Sequence, residues 1–197
     1  MSESQRAGET DLHIVHGNIL TVKGWVAGAI HFNERVQEIC GGSANPVANQ
    51  AQYILPGFID LHVHGAGGKD TMEGGDALAV ISRLHARHGT TSMLATTMTA
   101  PMQDLEAALH ALSGVCRQRL KGAARVLGVH LEGPYINPDK LGAQPNFAHT
   151  GSVEQVQQLD AIAPIKLITL APEIEGNLEM VRELTALGIR VQLGHTL

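Results

Sequence analysis

From residue 57 onward, short apolar runs alternate with stretches in which apolar residues recur at helical spacing, and this alternation constrains the fold more than any other feature of the chain. The runs are 57–65 (GFIDLHVHG), 92–99 (SMLATTMT), 125–133 (RVLGVHLEG), 165–171 (IKLITLA) and 189–197 (IRVQLGHTL). Between them, 74–88, 101–120, 152–163 and 176–187 read as helices, as the spacing of Leu105, Leu109 and Leu112 illustrates. Punctuation agrees: Pro101 suits a first helical turn, Ser152 with Gln155 makes a capping box, and Gly89 and Gly188 stand where helices stop. Repeated βα units with near-continuous apolar strands predict an α/β fold, a parallel sheet covered by helices. Pattern alone leaves a doubly wound sheet and a barrel both open. A complete (β/α)8 barrel has eight such units in about 250 residues, whereas five strands and four helices here end at Leu197. A barrel reading therefore makes the chain an incomplete one.

Upstream the pattern changes. Residues 1–10 form a polar tail, and 11–22, 25–32 and 35–40 are short Val- and Ile-rich runs separated by Gly and Asn turns, the signature of a small β unit. The loop-like 41–52 (GGSANPVANQAQ) closes it, predicting a β segment over 11–52 and a βα segment over 53–197. Fourteen Lys and Arg against nineteen Asp and Glu leave a net charge of −5, so no positive field draws in nucleic acid or an anionic membrane. No stretch approaches the roughly 20 apolar residues of a membrane span, and the first thirty residues carry no basic region leading into an apolar run. Cys40 and Cys116 make neither a C-x-x-C pair nor a disulfide framework. Together these point to a cytoplasmic protein in a reducing compartment.

The unusual entry in the composition is histidine, eleven in all, the commonest metal ligand and a general acid/base near neutral pH. In the run 57–65, Asp60, His62 and His64 alternate onto one strand face, where two imidazoles can converge on one divalent cation. Spacing alone weighs this evenly against a pair of hydrogen-bonded core histidines. Glu132 ends the third run on the face of His130, just before a Gly-Pro turn, and His195 holds the equivalent place after Gly194. Delivery of His, His, Glu and His to the C-terminal ends of three strands, where α/β folds bind their ligands, tips the balance to a metal. The remaining features are weaker: 65–68 (GAGG) fits neither phosphate-loop pattern and reads as a turn. Ser92 and Ser113 lack a histidine partner in sequence, while His85, His88 and His110 fall in helices and His13, His16 and His31 in the β segment.

In matching order, LPGFIDLHVHG (55–65), HGTTSMLATTMT (88–99), VHLEGPYINPDKLGAQ (129–144), LAPE (170–173) and LGHTL (193–197) resemble the amidohydrolase superfamily and, within it, the N-acetylglucosamine-6-phosphate deacetylases. The resemblance covers about 11–197. It implies an incomplete TIM-like (β/α)8 barrel of the metal-dependent hydrolase type, with 11–52 forming part of a small N-terminal β-sandwich. It implies one or two divalent ions, zinc ahead of iron, manganese or cobalt, with Glu132 and His195 as ligands and His62 and His64 as the pair kept by members that hold a second ion. Ala143 and Gln144 match the sugar-phosphate contact; where many members have histidine, Gln144 stands here, which leaves N-acetylgalactosamine 6-phosphate open as the substrate. The implied reaction is hydrolysis of an acetamide to an amine and acetate, by a cytoplasmic protein that is a homodimer when full length. No catalytic acid/base is expected within the chain, because the family's aspartate belongs to a strand beyond Leu197. Two rivals stay open: another amidohydrolase, against which Lys166 at the start rather than the end of its strand argues, and a catalytically silent fragment.

Overall fold

The computed structural model describes residues 11–197, so the expected tail at 1–10 lies outside the described residues. Contacts divide the chain into two units between Pro56 and Gly57. The first is a four-stranded sheet of β1 (His13–Thr21), β2 (Gly24–Phe32), β3 (Val36–Ser43) and β4 (Tyr53–Ile54), in the order β3-β2-β1-β4. β1–β2 and β2–β3 are antiparallel, while Tyr53 and Ile54 pair in parallel with Asn18 and Ile19. That pairing carries these two residues into the β unit and moves the division four residues past the expected 52/53. The long connection to β4 is tied down by buried Asn18, whose side-chain amide donates to Asn49 Oδ1 at 2.8 Å and to the Ala51 carbonyl at 3.2 Å.

The second unit runs β5 (Phe58–Val63), β6 (Gly65–Ala66), β7 (Lys69–Asp70), α1 (Ala77–Arg87), β8 (Thr90–Thr96), α2 (Met102–Arg117), β9 (Arg125–Glu132), α3 (Val153–Ile162), β10 (Ile165–Leu170), α4 (Asn177–Ala186) and β11 (Arg190–Leu193). The parallel sheet has the order β11-β10-β9-β8-β5. Spatial order thus follows chain order without reversal. A doubly wound sheet reverses at its switch point, so successive units of a barrel account for this sheet, and β5 and β11 are its two open edges. The fold is an incomplete TIM-like barrel.

Helices form where apolar residues recur on one side, and that side is buried on the sheet. Leu105, Leu109 and Leu112 of α2 are 0–1% exposed, and they join Ile81, Met93, Val129, Leu131, Leu159, Ile168 and Leu184 in one core. Tyr135 is the one aromatic among that core's buried residues, in keeping with a composition only 3% aromatic. Ser152 caps α3 in a reciprocal box with Gln155, while Pro101 stands at the N-cap of α2 rather than inside its first turn. The GAGG segment makes the β6–β7 hairpin: Gly67 and Gly68 have φ of 63° and 74°, the pair of left-handed residues that a tight type I′ turn requires. Among the described residues no helix is long and apolar enough to cross a membrane.

Candidate metal centre

At the C-terminal ends of the strands, polar side chains replace the aliphatic core. β9 ends on Glu132, with His130 two residues earlier on the same face. Glu132 is fixed through its backbone: its N–H donates to Thr97 Oγ1 at 3.3 Å and its carbonyl accepts from Thr99 Oγ1 at 3.4 Å. Gly133 then turns the chain off the sheet with φ 72°, and a Cβ there would overlap the Thr99 side chain. Glycine is what permits a turn this close behind the carboxylate.

The Glu132 carboxylate is the hub. Its Oε2 lies 3.0 Å from His64 Nε2 and accepts from Gln144 Nε2 at 2.6 Å; its Oε1 lies 3.0 Å from His195 Nε2. His62 stands edge-on to His64, ring centroids 4.9 Å apart. Ligand atoms of His62, His64 and Glu132 all lie within 4.8 Å of one another. Burial alone would raise the proton affinity of Glu132, but hydrogen bonds with His64 and His195 outweigh it and hold the carboxyl at about 2, ionised at neutral pH. The same carboxylate raises the His64 pKa against the opposing effect of burial.

Each histidine arrives by its own local device. Strict alternation through 57–65 is not kept: the register against β8 slips between Asp60 and Val63, a bulge at which Asp60 Oδ1 accepts from the His62 N–H at 3.1 Å. An added residue re-aims the side chains that follow, and His64 leaves the strand with its carbonyl held by both the N–H and Oγ1 of Thr71 at 2.7 Å. His195 also lies beyond its strand, which stops at Leu193, and adopts φ 52°, a left-handed conformation few non-glycine residues occupy. Its Nδ1 faces the Lys140 carbonyl at 2.9 Å. Both its ring nitrogens therefore face acceptors, an arrangement satisfied by a second proton or by a cation between Nε2 and the carboxylate. His64 Nδ1 adds a buried nitrogen without a hydrogen-bond partner. Two imidazoles and a carboxylate, hard and borderline donors at one point, fit a divalent cation on chemistry as well as spacing.

The amidohydrolase family model matches residues 53–183, and this span holds β5, β8, β9 and β10 with three of the four expected metal-type side chains. The chain belongs to the amidohydrolase family. It is 40% identical over 152 residues to the N-acetylgalactosamine-6-phosphate deacetylase of Escherichia coli O157:H7, covering 74% of this chain and 40% of that protein. Against the N-acetylglucosamine-6-phosphate deacetylase of Bacillus subtilis (strain 168) it is 39% identical over 154 residues, 73% of this chain and 38% of that one. The crystal structure of the N-acetylglucosamine-6-phosphate deacetylase from Thermotoga maritima superposes with a TM-score of 0.80 at 28% identity, covering 94% of this chain and 49% of that one. The chain thus spans half or less of the length of these relatives.

Around the candidate centre, His130 and Glu173 are not among the expected site residues, whereas Gln144 is. His130, wholly buried, has its Nε2 2.7 Å from Thr169 Oγ1 and its Nδ1 3.0 Å from the Leu61 carbonyl and 3.3 Å from His62 Nδ1. Burial pushes its pKa down to about 4, so it stays neutral beneath His62. Glu173, from the LAPE segment, gathers Asn137 and Thr196, and the motif itself was the available signal. Gln144, expected at a sugar-phosphate contact, is buried with its amide occupied at both ends, by the Thr99 N–H at 2.6 Å and by Glu132, whereas neighbouring Ala143 is exposed.

Proposed function

We propose that this chain carries the metal-binding half of a deacetylase that hydrolyses the acetamide of N-acetylglucosamine 6-phosphate, giving glucosamine 6-phosphate and acetate. The observation that carries the reading is the convergence of His62, His64 and His195 on the Glu132 carboxylate. These four residues would hold one or two divalent ions, zinc first among them, in a cytoplasmic enzyme that is a homodimer when complete. When bound, a divalent cation supplies Lewis acidity, acidifying water and polarising an amide carbonyl. The protein's own part is orientation. Glu132 stays ionised for the ion, Gln144 aligns its Oε2, and Lys140 turns His195 so that Nε2 faces inward. Ala143, exposed on the loop that follows, is left to meet the sugar phosphate.

The test is acetate release from N-acetylglucosamine 6-phosphate by the protein expressed from its complete coding sequence, with zinc supplied and then removed by a chelator. Activity lost on chelation and restored by zinc is the expected result, with Glu132→Gln depressing turnover about 100-fold or more, the upper end of what losing an outer-shell partner costs. Turnover indifferent to chelation would sink the reading. The 40% identity to the Escherichia coli N-acetylgalactosamine-6-phosphate deacetylase keeps N-acetylgalactosamine 6-phosphate as a second candidate substrate, and the ratio of kcat/KM for the two sugars decides between them.

A further inference from the structure

Glu173 is exposed, yet its carboxylate is fully engaged. Oε1 accepts from Asn137 Nδ2 at 2.7 Å and from the Leu197 N–H at 3.0 Å, and Oε2 accepts from Thr196 Oγ1 at 2.5 Å. These donors come from two different loops: Asn137 follows β9, while Thr196 and Leu197 follow β11. Asn137 is held in turn, its Oδ1 accepting from the Asp139 N–H at 2.8 Å, and its own N–H donates to the His195 carbonyl at 3.0 Å. His195 lies between the points of attachment. It is the only non-glycine with positive φ among the described residues, and such a conformation persists where surrounding contacts over-determine it.

We propose that Glu173 is a positioning residue: by clamping the loop after β9 to the segment after β11, it holds His195 in its left-handed conformation with Nε2 on Glu132, and so sets the affinity of the centre for its cation. The chain of contacts has no gap. Glu173 grips Thr196 and Leu197 on the C-terminal side of His195, and through Asn137 it grips the His195 carbonyl. The same loop supplies the Lys140 carbonyl that orients the ring. Released from the clamp, the His195 backbone relaxes toward negative φ, and its imidazole moves off Glu132. Residues that orient a ligand from behind in this way change metal affinity about 10- to 100-fold when substituted.

The inference rests on the metal reading above, and the experiment separates the two. In the protein expressed from its complete coding sequence, zinc affinity is measured by competition with a chromophoric chelator, and the cobalt(II)-loaded protein gives a visible absorption spectrum that reports ligand geometry. Glu173→Gln removes one acceptor oxygen at nearly constant shape and should weaken zinc binding about 10-fold or more and shift the cobalt spectrum. Glu179→Gln breaks an exposed pair with Arg182 on α4 and should change neither. Thr196→Val deletes a single hydroxyl donor; it should give a smaller loss in the same direction, non-additive with that of Glu173→Gln. This milder variant serves if Glu173→Gln does not fold. Unchanged zinc affinity and an unchanged cobalt spectrum in the folded variants overturn the clamp while leaving the metal reading intact. A wild-type protein that binds no zinc overturns both.

Discussion

Tyr135 shows what a single polar atom does to the stability of this fold. The side chain follows the Gly133–Pro134 turn into the core, is wholly buried, and its hydroxyl has no hydrogen-bond partner. An unsatisfied buried hydroxyl costs about 1–3 kcal/mol, so Tyr135→Phe should stabilise the protein by about 1 kcal/mol in urea unfolding, leaving the ring's packing unchanged. The same burial pushes the phenol pKa from its usual 10 up to about 12. Below pH 10 the hydroxyl is neutral in the folded and unfolded chain alike. Between 10 and about 12 only the unfolded chain ionises, so wild-type stability falls as pH rises through that window. Phenylalanine removes the effect, and the gap between variant and wild type in urea midpoint should widen from pH 9 to pH 11. A gap that stays constant would contradict the buried phenol.

At the scale of the element, α2 and α3 both bury an apolar face in the core, and α3 adds a capped first turn. α2 presents Leu105, Leu109 and Leu112 to the sheet, each no more than 1% exposed, so its stability comes from apolar burial. Leu109→Ala should cost 2–5 kcal/mol as measured by denaturant midpoint, roughly the range for a fully enclosed leucine that leaves a cavity. A cost below about 1 kcal/mol would mean the surroundings collapse onto the gap. α3 is shorter, buries Val156 and Leu159, and has a capped first turn, where Ser152 accepts from the Gln155 N–H at 3.3 Å and Gln155 Oε1 accepts from the Ser152 N–H at 3.2 Å. Ser152→Ala should cost about 1 kcal/mol. Ser152→Thr, which keeps the hydroxyl, should recover most of it.

At the scale of the whole molecule, the parallel sheet has two edges left open among the described residues. β5 exposes Phe58 (64%), Ile59 (62%) and Leu61 (50%), and Leu193 of β11 is 56% exposed. Unpaired backbone donors and acceptors beside apolar side chains make a template for association. The 197-residue chain by itself should associate in a concentration-dependent way in sedimentation velocity, and Ile59→Lys with Leu193→Lys should reduce it by placing charge on both edges. A wild-type chain that stays monomeric at high concentration would show that these edges are protected. The consequence for function runs through the same edges, since β5 carries His62 and leads to His64, and His195 follows β11. Both flanks of the candidate centre thus adjoin the edge strands of the sheet.

Periodicity in the sequence was enough to determine the number, type and order of the βα elements, because strand and helix impose different repeats on apolar residues and glycine and proline punctuate them. It also marked His62, His64, Glu132 and His195 as residues out of place among aliphatic strands, since a charge or imidazole in such a run needs a partner. What pattern left open, spatial order decided: sheet neighbours in chain order mean a barrel, and no local signal encodes which strands adjoin. The bulge at Asp60–Val63, the left-handed His195 and the turn of Gln144 toward Glu132 rather than outward are likewise tertiary. Each is a local conformation that segments far apart in sequence impose, through β8 for the bulge, Lys140 and Asn137 for His195, and Thr99 for Gln144. Glu173 belongs with them, for its neighbours in sequence say nothing of the two loops it joins, and only the packed sheet brings their three donors within reach of one carboxylate.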